Sequence, residues 1–137
     1  ARLAQTPAEF EAFLKVFVDA GVDVLHASQR RYWEPEFPDV DGENGLNTAA
    51  WAKKLTGLPS ITVGSVGLTG DFEKAFRGEG ATVRRLDDLE ERLDKGEFDM
   101  VAVGRALLQD PDWATKVREG RSDELKDYDA KSLAVLY

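Results

Sequence analysis

The chain has 137 residues, with 18 lysines and arginines against 26 aspartates and glutamates, a net charge of -8 and no cysteine. The 42% apolar content supports a core and the 32% charged content is too rich for a membrane protein, so the expectation is a soluble globular chain about one domain long. Without thiols there is no disulfide, thiolate metal site or cysteine nucleophile, and one histidine, His26, leaves no HExxH pair for a metal. The acidic balance argues against broad nucleic-acid binding, and the lack of a long apolar run or signal-like start predicts a cytoplasmic protein with no membrane association.

In chain order, Thr6, Pro7 and Glu9 read as a helix start, with a hydroxyl cap, proline at the first position and glutamate three residues after the cap. Phe10, Phe13, Leu14, Phe17 and Val18 then fall on one face, and Gly21 stops a helix predicted over about residues 7 to 20. Val22 to Ala27 is β-prone and predicts a mostly buried first strand that contains His26 as a core or loop-facing residue. Residues 28 to 45 carry prolines, glycines, aromatics and charges without a period, and so read as a long loop. Loops of that length commonly serve binding, so Tyr32, Trp33 and Phe37 either face a ligand or anchor the loop.

Asn47 or Thr48 caps a second helix through Leu55, ended by Gly57 and Pro59, and Ser60 to Val63 forms a second strand. Helix is expected near Asp71 to Arg77, within a weakly periodic stretch. Leu86 to Lys95 is a helix opened by Asp87 and Asp88 and closed by Lys95 and Gly96. Phe98 to Val103 is a third strand leading to Gly104 and Arg105, and a helix follows from about Asp112 to Glu119. Leu133, Val135 and Leu136 are apolar enough to dock a final helix. Strands alternating with helices define an α/β chain with parallel strands.

The informative chemistry lies where the second and third strands end, at Gly64, Ser65, Val66 and Gly67 and at Gly104 and Arg105. At the carboxyl edge of a parallel sheet, loop N–H groups converge and attract anions, and glycine permits close backbone approach. Two such turns in succession resemble the phosphate site that (β/α)8 barrels build after their seventh and eighth strands. Arg105 would add a charge-assisted contact to a phosphate.

Three runs carry a more specific resemblance: HASQRRYWEPEF after the first strand, ITVGSVGL across the second, and VAVGRALLQDPDWATKVREGR from the third. They resemble the C-terminal part of the old yellow enzyme family, FMN-dependent NAD(P)H oxidoreductases of the ene-reductase type. The resemblance implies that the three strands are the sixth, seventh and eighth of a (β/α)8 TIM barrel, with residues 1–137 forming its partial, FMN phosphate-binding portion. It implies that Gly64, Ser65, Gly104 and Arg105 hold the FMN phosphate and that the loop bearing Tyr32 and Trp33 borders a small-molecule substrate.

The family's catalytic groups on earlier strands, its substrate-gripping histidine pair and the arginine beside the flavin have no match here, so no catalytic residue is assigned. A complete barrel needs about 250 residues. The expected partner is therefore a complementary N-terminal barrel portion, with homo-oligomerisation an option, and the isolated chain is expected to be inactive. The alternatives are a non-catalytic phosphate-binding or self-assembling partial barrel and, less well matched by the final run, a sugar-phosphate enzyme.

Overall fold

The computed structural model describes residues 3–135. Helix α1 spans Pro7–Asp19, and its start is built as the sequence indicates: the Thr6 side chain accepts from Glu9 N at 3.2 Å, while Glu9 Oε2 accepts from Gln5 N at 2.8 Å. Its inner face, Phe10 and Leu14, packs in a cluster with Phe37, Trp51 and Ala52. Phe13 and Phe17, on the flank of the same stripe, stay 40% and 42% exposed.

Strand β1 is Leu25–Ser28, later and shorter than the predicted run from Val22. It pairs with β2, Ser60–Val63, which pairs in turn with β3, Met100–Val101. All three strands are parallel, with Leu25 opposite Ser60 and Ile61 opposite Met100. The α/β class is thus observed, as a small three-stranded parallel sheet with helices packed around it. The expected mostly buried character of β1 is not. Its residues alternate half-buried and exposed, and His26 is exposed rather than in the core, because β1 has a neighbour on only one side. The third strand is cut from the predicted six residues to two, since it has only the short β2 to pair with; single bonds from Asp99 N to Ser60 O and Ala102 N to Thr62 O extend the contact. Phe98, just before it, is instead a core residue.

Within the long loop, α2 (Pro38–Asp41) is a single turn. Asp41 Oδ2 holds it down by accepting from Leu46 N at 2.8 Å and Trp51 Nε1 at 3.1 Å. Helix α3, Thr48–Thr56, is capped by Asn47, which accepts from Ala50 N at 2.9 Å. Asn47 is wholly buried, and its amide nitrogen also donates to Tyr32 O and Thr62 Oγ1. One side chain therefore ties the loop, the helix cap and the central strand together. Gly57, at φ +74, ends α3 in the left-handed conformation that glycine adopts without a Cβ penalty.

Helices α4 (Phe72–Phe76) and α5 (Asp87–Asp94) match the expected positions to within a residue or two at each end. After β3 come α6, Arg105–Gln109, for which no helix was predicted, and α7, Trp113–Arg118, which is slightly shorter than expected. Lys116 Nζ and Asp110 Oδ2 form a buried ion pair at 2.7 Å between them. The tail holds 3-10 turns at Ser122–Glu124 and Ala130–Ala134 rather than the docked helix expected. Leu133 and Val135 are 52% and 46% exposed, too little buried to hold a helix down, and Leu136 lies outside the described residues.

Candidate functional site

Beyond Val63 the chain leaves β2 through Gly64 at φ +154 and Ser65 at φ +50. A Cβ on Gly64 would lie 2.5 Å from Gln29 O and 3.1 Å from Tyr32 N, so glycine is required here because the loop after β1 crosses this turn. Ser65 holds a conformation unusual for a residue with a side chain, at a cost of about 1 kcal/mol or more. Three neighbours keep it there: its Oγ lies 3.0 Å from both Arg30 O and Gly70 O and accepts from Arg105 Nη2 at 3.3 Å.

The turn after β3 brings Gly104 and Arg105 to the same edge. Gly104 has φ -106, and no atom of the described residues lies within 4 Å of where a Cβ would stand. Arg105 reaches across to the other turn and donates to Gly70 O at 2.6 Å and Asp71 O at 3.1 Å, as well as to Ser65. Its charged plane lies 5.3 Å from the centre of the Tyr128 ring. A guanidinium has five N–H donors; three are engaged here, and Nε and one Nη1 proton meet no acceptor among the described residues. Burial pushes the Arg105 pKa down, and Tyr128 and Asp71 oppose the shift.

Gly64, Ser65, Gly104 and Arg105, taken from the sequence as one site, are indeed brought together around a single cleft of about 320 Å³. Arg30 from the loop after β1 joins them and pairs with Glu73 of α4 at 2.7 Å. Both partners are about half exposed, so the pair is worth little and is open to exchange with a ligand. Phe72, Ala75 and Phe76 of α4, with Leu133, complete the lining with carbon. Sequence reasoning did not single out Arg30, Phe72 or Phe76. The signal available for the last two was their four-residue spacing behind Asp71, whose side chain caps α4 by accepting from Lys74 N.

Tyr32 and Trp33 are placed differently from the ligand-facing position considered for them. Tyr32 is wholly buried, its ring edge-on to Trp33 at 5.0 Å and its hydroxyl donating to Asp88 Oδ1 at 2.6 Å. Arg84 sits over the Trp33 ring at 3.9 Å and donates to Asp88 Oδ2 at 2.7 Å. Burial, reinforced by the Asp88 hydrogen bond, pushes the Tyr32 hydroxyl up to about 12. Asp88 would be raised by burial, but Tyr32 and Arg84 outweigh this and hold it below the usual carboxylate range. Neither ring lines the cleft; both anchor the loop on α5. Phe37 does the same on Trp51, with ring centres 5.3 Å apart. The loop does border an open depression of about 610 Å³ that continues from the cleft past Gln29 and Arg30, but through Glu34, Pro35 and Glu36. His26 lies apart from all of this, in a groove between α1 and β1 that Phe13 and Phe17 also line.

No helix is long and apolar enough to cross a membrane among the described residues. No family model matches the chain. Over 122 residues, 86% of its length, it is 32% identical to an NADH oxidase of Thermoanaerobacter brockii. It is 26% identical over 117 residues to a bilirubin reductase of Mediterraneibacter gnavus, and 31% identical over 105 residues to an NADH:fumarate oxidoreductase of Klebsiella pneumoniae. The chain spans only 16%, 16% and 10% of these three relatives. Its similarity therefore runs, across most of its own length, to one segment of much longer oxidoreductases, two of which are named for NADH.

Proposed function

We propose that the chain is the FMN phosphate-binding, C-terminal part of an NAD(P)H oxidoreductase of the old yellow enzyme family, with β1, β2 and β3 as strands of a (β/α)8 barrel. The observation that carries this reading is the convergence of two glycine turns and Arg105 on one cleft at the carboxyl edge of a parallel sheet. The donor chemistry suits a phosphate: two N–H groups of Arg105 meet no acceptor among the described residues, and Arg30 stands at the same cleft. The space at Gly104, with no described atom within 4 Å of a Cβ position, leaves room for an anion to approach the main chain.

In this reading Gly104 and Arg105 hold the phosphate, Gly64 and Ser65 shape the turn that faces it, and Arg30 exchanges Glu73 for the ligand. The chemistry supplied by the flavin, when bound, is two-electron transfer from NAD(P)H to a small-molecule acceptor, an activated alkene in the ene-reductase form of the proposal. Fumarate, named in one relative, is such an alkene. This chain contributes binding and orientation, and the groups that contact the reacting atoms belong to the complementary barrel portion. That portion would also cover the free edge of β1 and the apolar groove beside it.

The free sheet edges and the exposed Phe13 and Phe17 favour a second reading, a partial barrel that binds phosphate and associates with itself without catalysing a reaction. FMN titration into the chain, followed by flavin fluorescence with inorganic phosphate as competitor, separates the two. Saturable FMN binding displaced by phosphate is expected. Phosphate binding without flavin binding would favour the second reading, and binding of neither would refute both.

A further inference from the structure

The last described segment of the chain returns to α6. Tyr128 exchanges two backbone hydrogen bonds with Ala81, its N–H donating to Ala81 O at 2.7 Å and its carbonyl accepting from Ala81 N at 2.9 Å, while Asp127 Oδ1 accepts from Val83 N at 2.6 Å. Farther on, Asp129 N and Ser132 Oγ both donate to Gln109 Oε1, at 2.8 and 2.6 Å. Gln109 is the last residue of α6, the helix that Arg105 begins. The tail is thus fastened on both sides of Tyr128, and the fit is close: a Cβ on Gly80 would lie 2.8 Å from Tyr128 O. The Tyr128 ring is buried in the main core cluster, and the carbon of the Arg105 guanidinium stands over it, 5.3 Å from the ring centre. Burial raises the Tyr128 pKa against the pull of Arg105, so the group is a neutral phenol at neutral pH and meets the arginine with its ring.

We propose that Tyr128 is a positioning residue for Arg105, holding the guanidinium over its ring so that Nε and the remaining Nη1 proton keep one orientation for an anion in the cleft. This role rests on the anion-binding reading above and adds to it a side chain that does not itself line the cleft. The three hydrogen bonds of Arg105 all run to one stretch of chain, Ser65 to Asp71, and all leave from Nη1 and Nη2. They fix the two outer nitrogens but do not oppose rotation of the group about the line between them, and a contact over the guanidinium carbon does. A cation is attracted to the negative face of an aromatic ring within about 6 Å of its centre, more strongly where both are desolvated. Tyr128 is buried, and burial also depresses the Arg105 pKa. The Tyr128 hydroxyl meets no hydrogen-bond partner among the described residues, so the ring carries the contact.

The test uses the whole chain with inorganic phosphate as the probe and compares the parent with Tyr128→Phe and Tyr128→Leu, at a temperature where circular dichroism shows each to be folded. Tyr128→Phe keeps the ring and should bind phosphate within about twofold of the parent. Tyr128→Leu keeps apolar volume without the ring and should bind about fivefold more weakly or worse. Lower thermal stability of the leucine variant with unchanged phosphate affinity would make Tyr128 a core residue only, and an equal loss of affinity in the phenylalanine variant would place the effect in the hydroxyl; either result overturns the proposal. NMR of the parent gives a readout that needs no variant to fold: the side-chain protons of Arg105 should be shifted upfield by the ring current of Tyr128, and resonances at ordinary arginine positions would overturn the placement. A parent chain with shifted Arg105 resonances that binds no phosphate would instead refute the anion-binding reading, and the role of Tyr128 in it.

Discussion

Replacing Arg105 with alanine removes two functions at once, and their sizes follow from its contacts. Its guanidinium donates to Gly70 O, Asp71 O and Ser65 Oγ and so closes the turn between β2 and α4. A hydrogen bond to a charged group is worth about 1.5 to 3 kcal/mol, but these contacts sit at a cleft where water replaces part of what is lost. The expected destabilisation is therefore about 2 kcal/mol in total, a Tm lower by roughly 4–8 °C at 2–4 °C per kcal/mol. For a bound phosphate, one further charge-assisted bond disappears, and FMN affinity should fall about 10- to 150-fold. Arg105→Lys separates the two roles. Its ammonium keeps the charge near the anion but cannot span two carbonyls and a phosphate as a planar fork does, so it should lose most of the turn stability and less of the affinity. Thermal melts and FMN titrations of both variants measure this. A Tm of Arg105→Ala equal to the parent would refute the turn-closing role, and an unchanged FMN dissociation constant would remove Arg105 from the ligand site.

The two site glycines should respond to different degrees. Gly64→Ala places a Cβ 2.5 Å from a backbone oxygen at φ +154 and should destabilise the fold by about 2 kcal/mol or more, whereas Gly104→Ala meets no described atom within 4 Å and should cost less, as urea denaturation will show. Because burial and Asp88 raise the Tyr32 hydroxyl from its ordinary 10 to about 12, its contribution to stability is complete below pH 10 and is lost as the pH rises through 12. Ultraviolet phenolate titration should show a late component that Tyr32→Phe abolishes; ionisation of every tyrosine near pH 10 would contradict the packing of the loop. Lys116→Ala strands the buried Asp110 carboxylate and should destabilise the chain by about 3–5 kcal/mol, while Lys116→Ala with Asp110→Ala should recover part of the loss. Equal stability of the single variant and the parent would mean that water already serves Asp110.

Helices α1 and α3, strand β2 and the position of the glycine turns were determined by the sequence alone, because their signals are local. Thr6 and Asn47 cap the residues that immediately follow them, Gly57 supplies a positive φ at the end of α3, and the β-branched run at 61–63 lies between turn formers. Strand lengths were not legible. How far β1 and β3 extend depends on the neighbours they pair with, and in this sheet only β2 has two. The fate of Tyr32 was equally hidden, since its hydroxyl meets Asp88, 56 residues away, and its ring meets a core assembled from distant elements.

At the candidate site the sequence identified Gly64, Ser65, Gly104 and Arg105 from residue type and position after a strand, and the fold brought all four to one cleft. It did not show that Arg105 spends three donors on the neighbouring turn, or that Phe72 and Phe76 face that same cleft. Four-residue spacing puts the two rings on one side of a helix, but the side that becomes core and the side left open depend on where the helix is anchored. That anchor is a contact between residues 34 and 35 positions apart, from Arg105 to the carbonyls of Asp71 and Gly70, which only the tertiary structure forms.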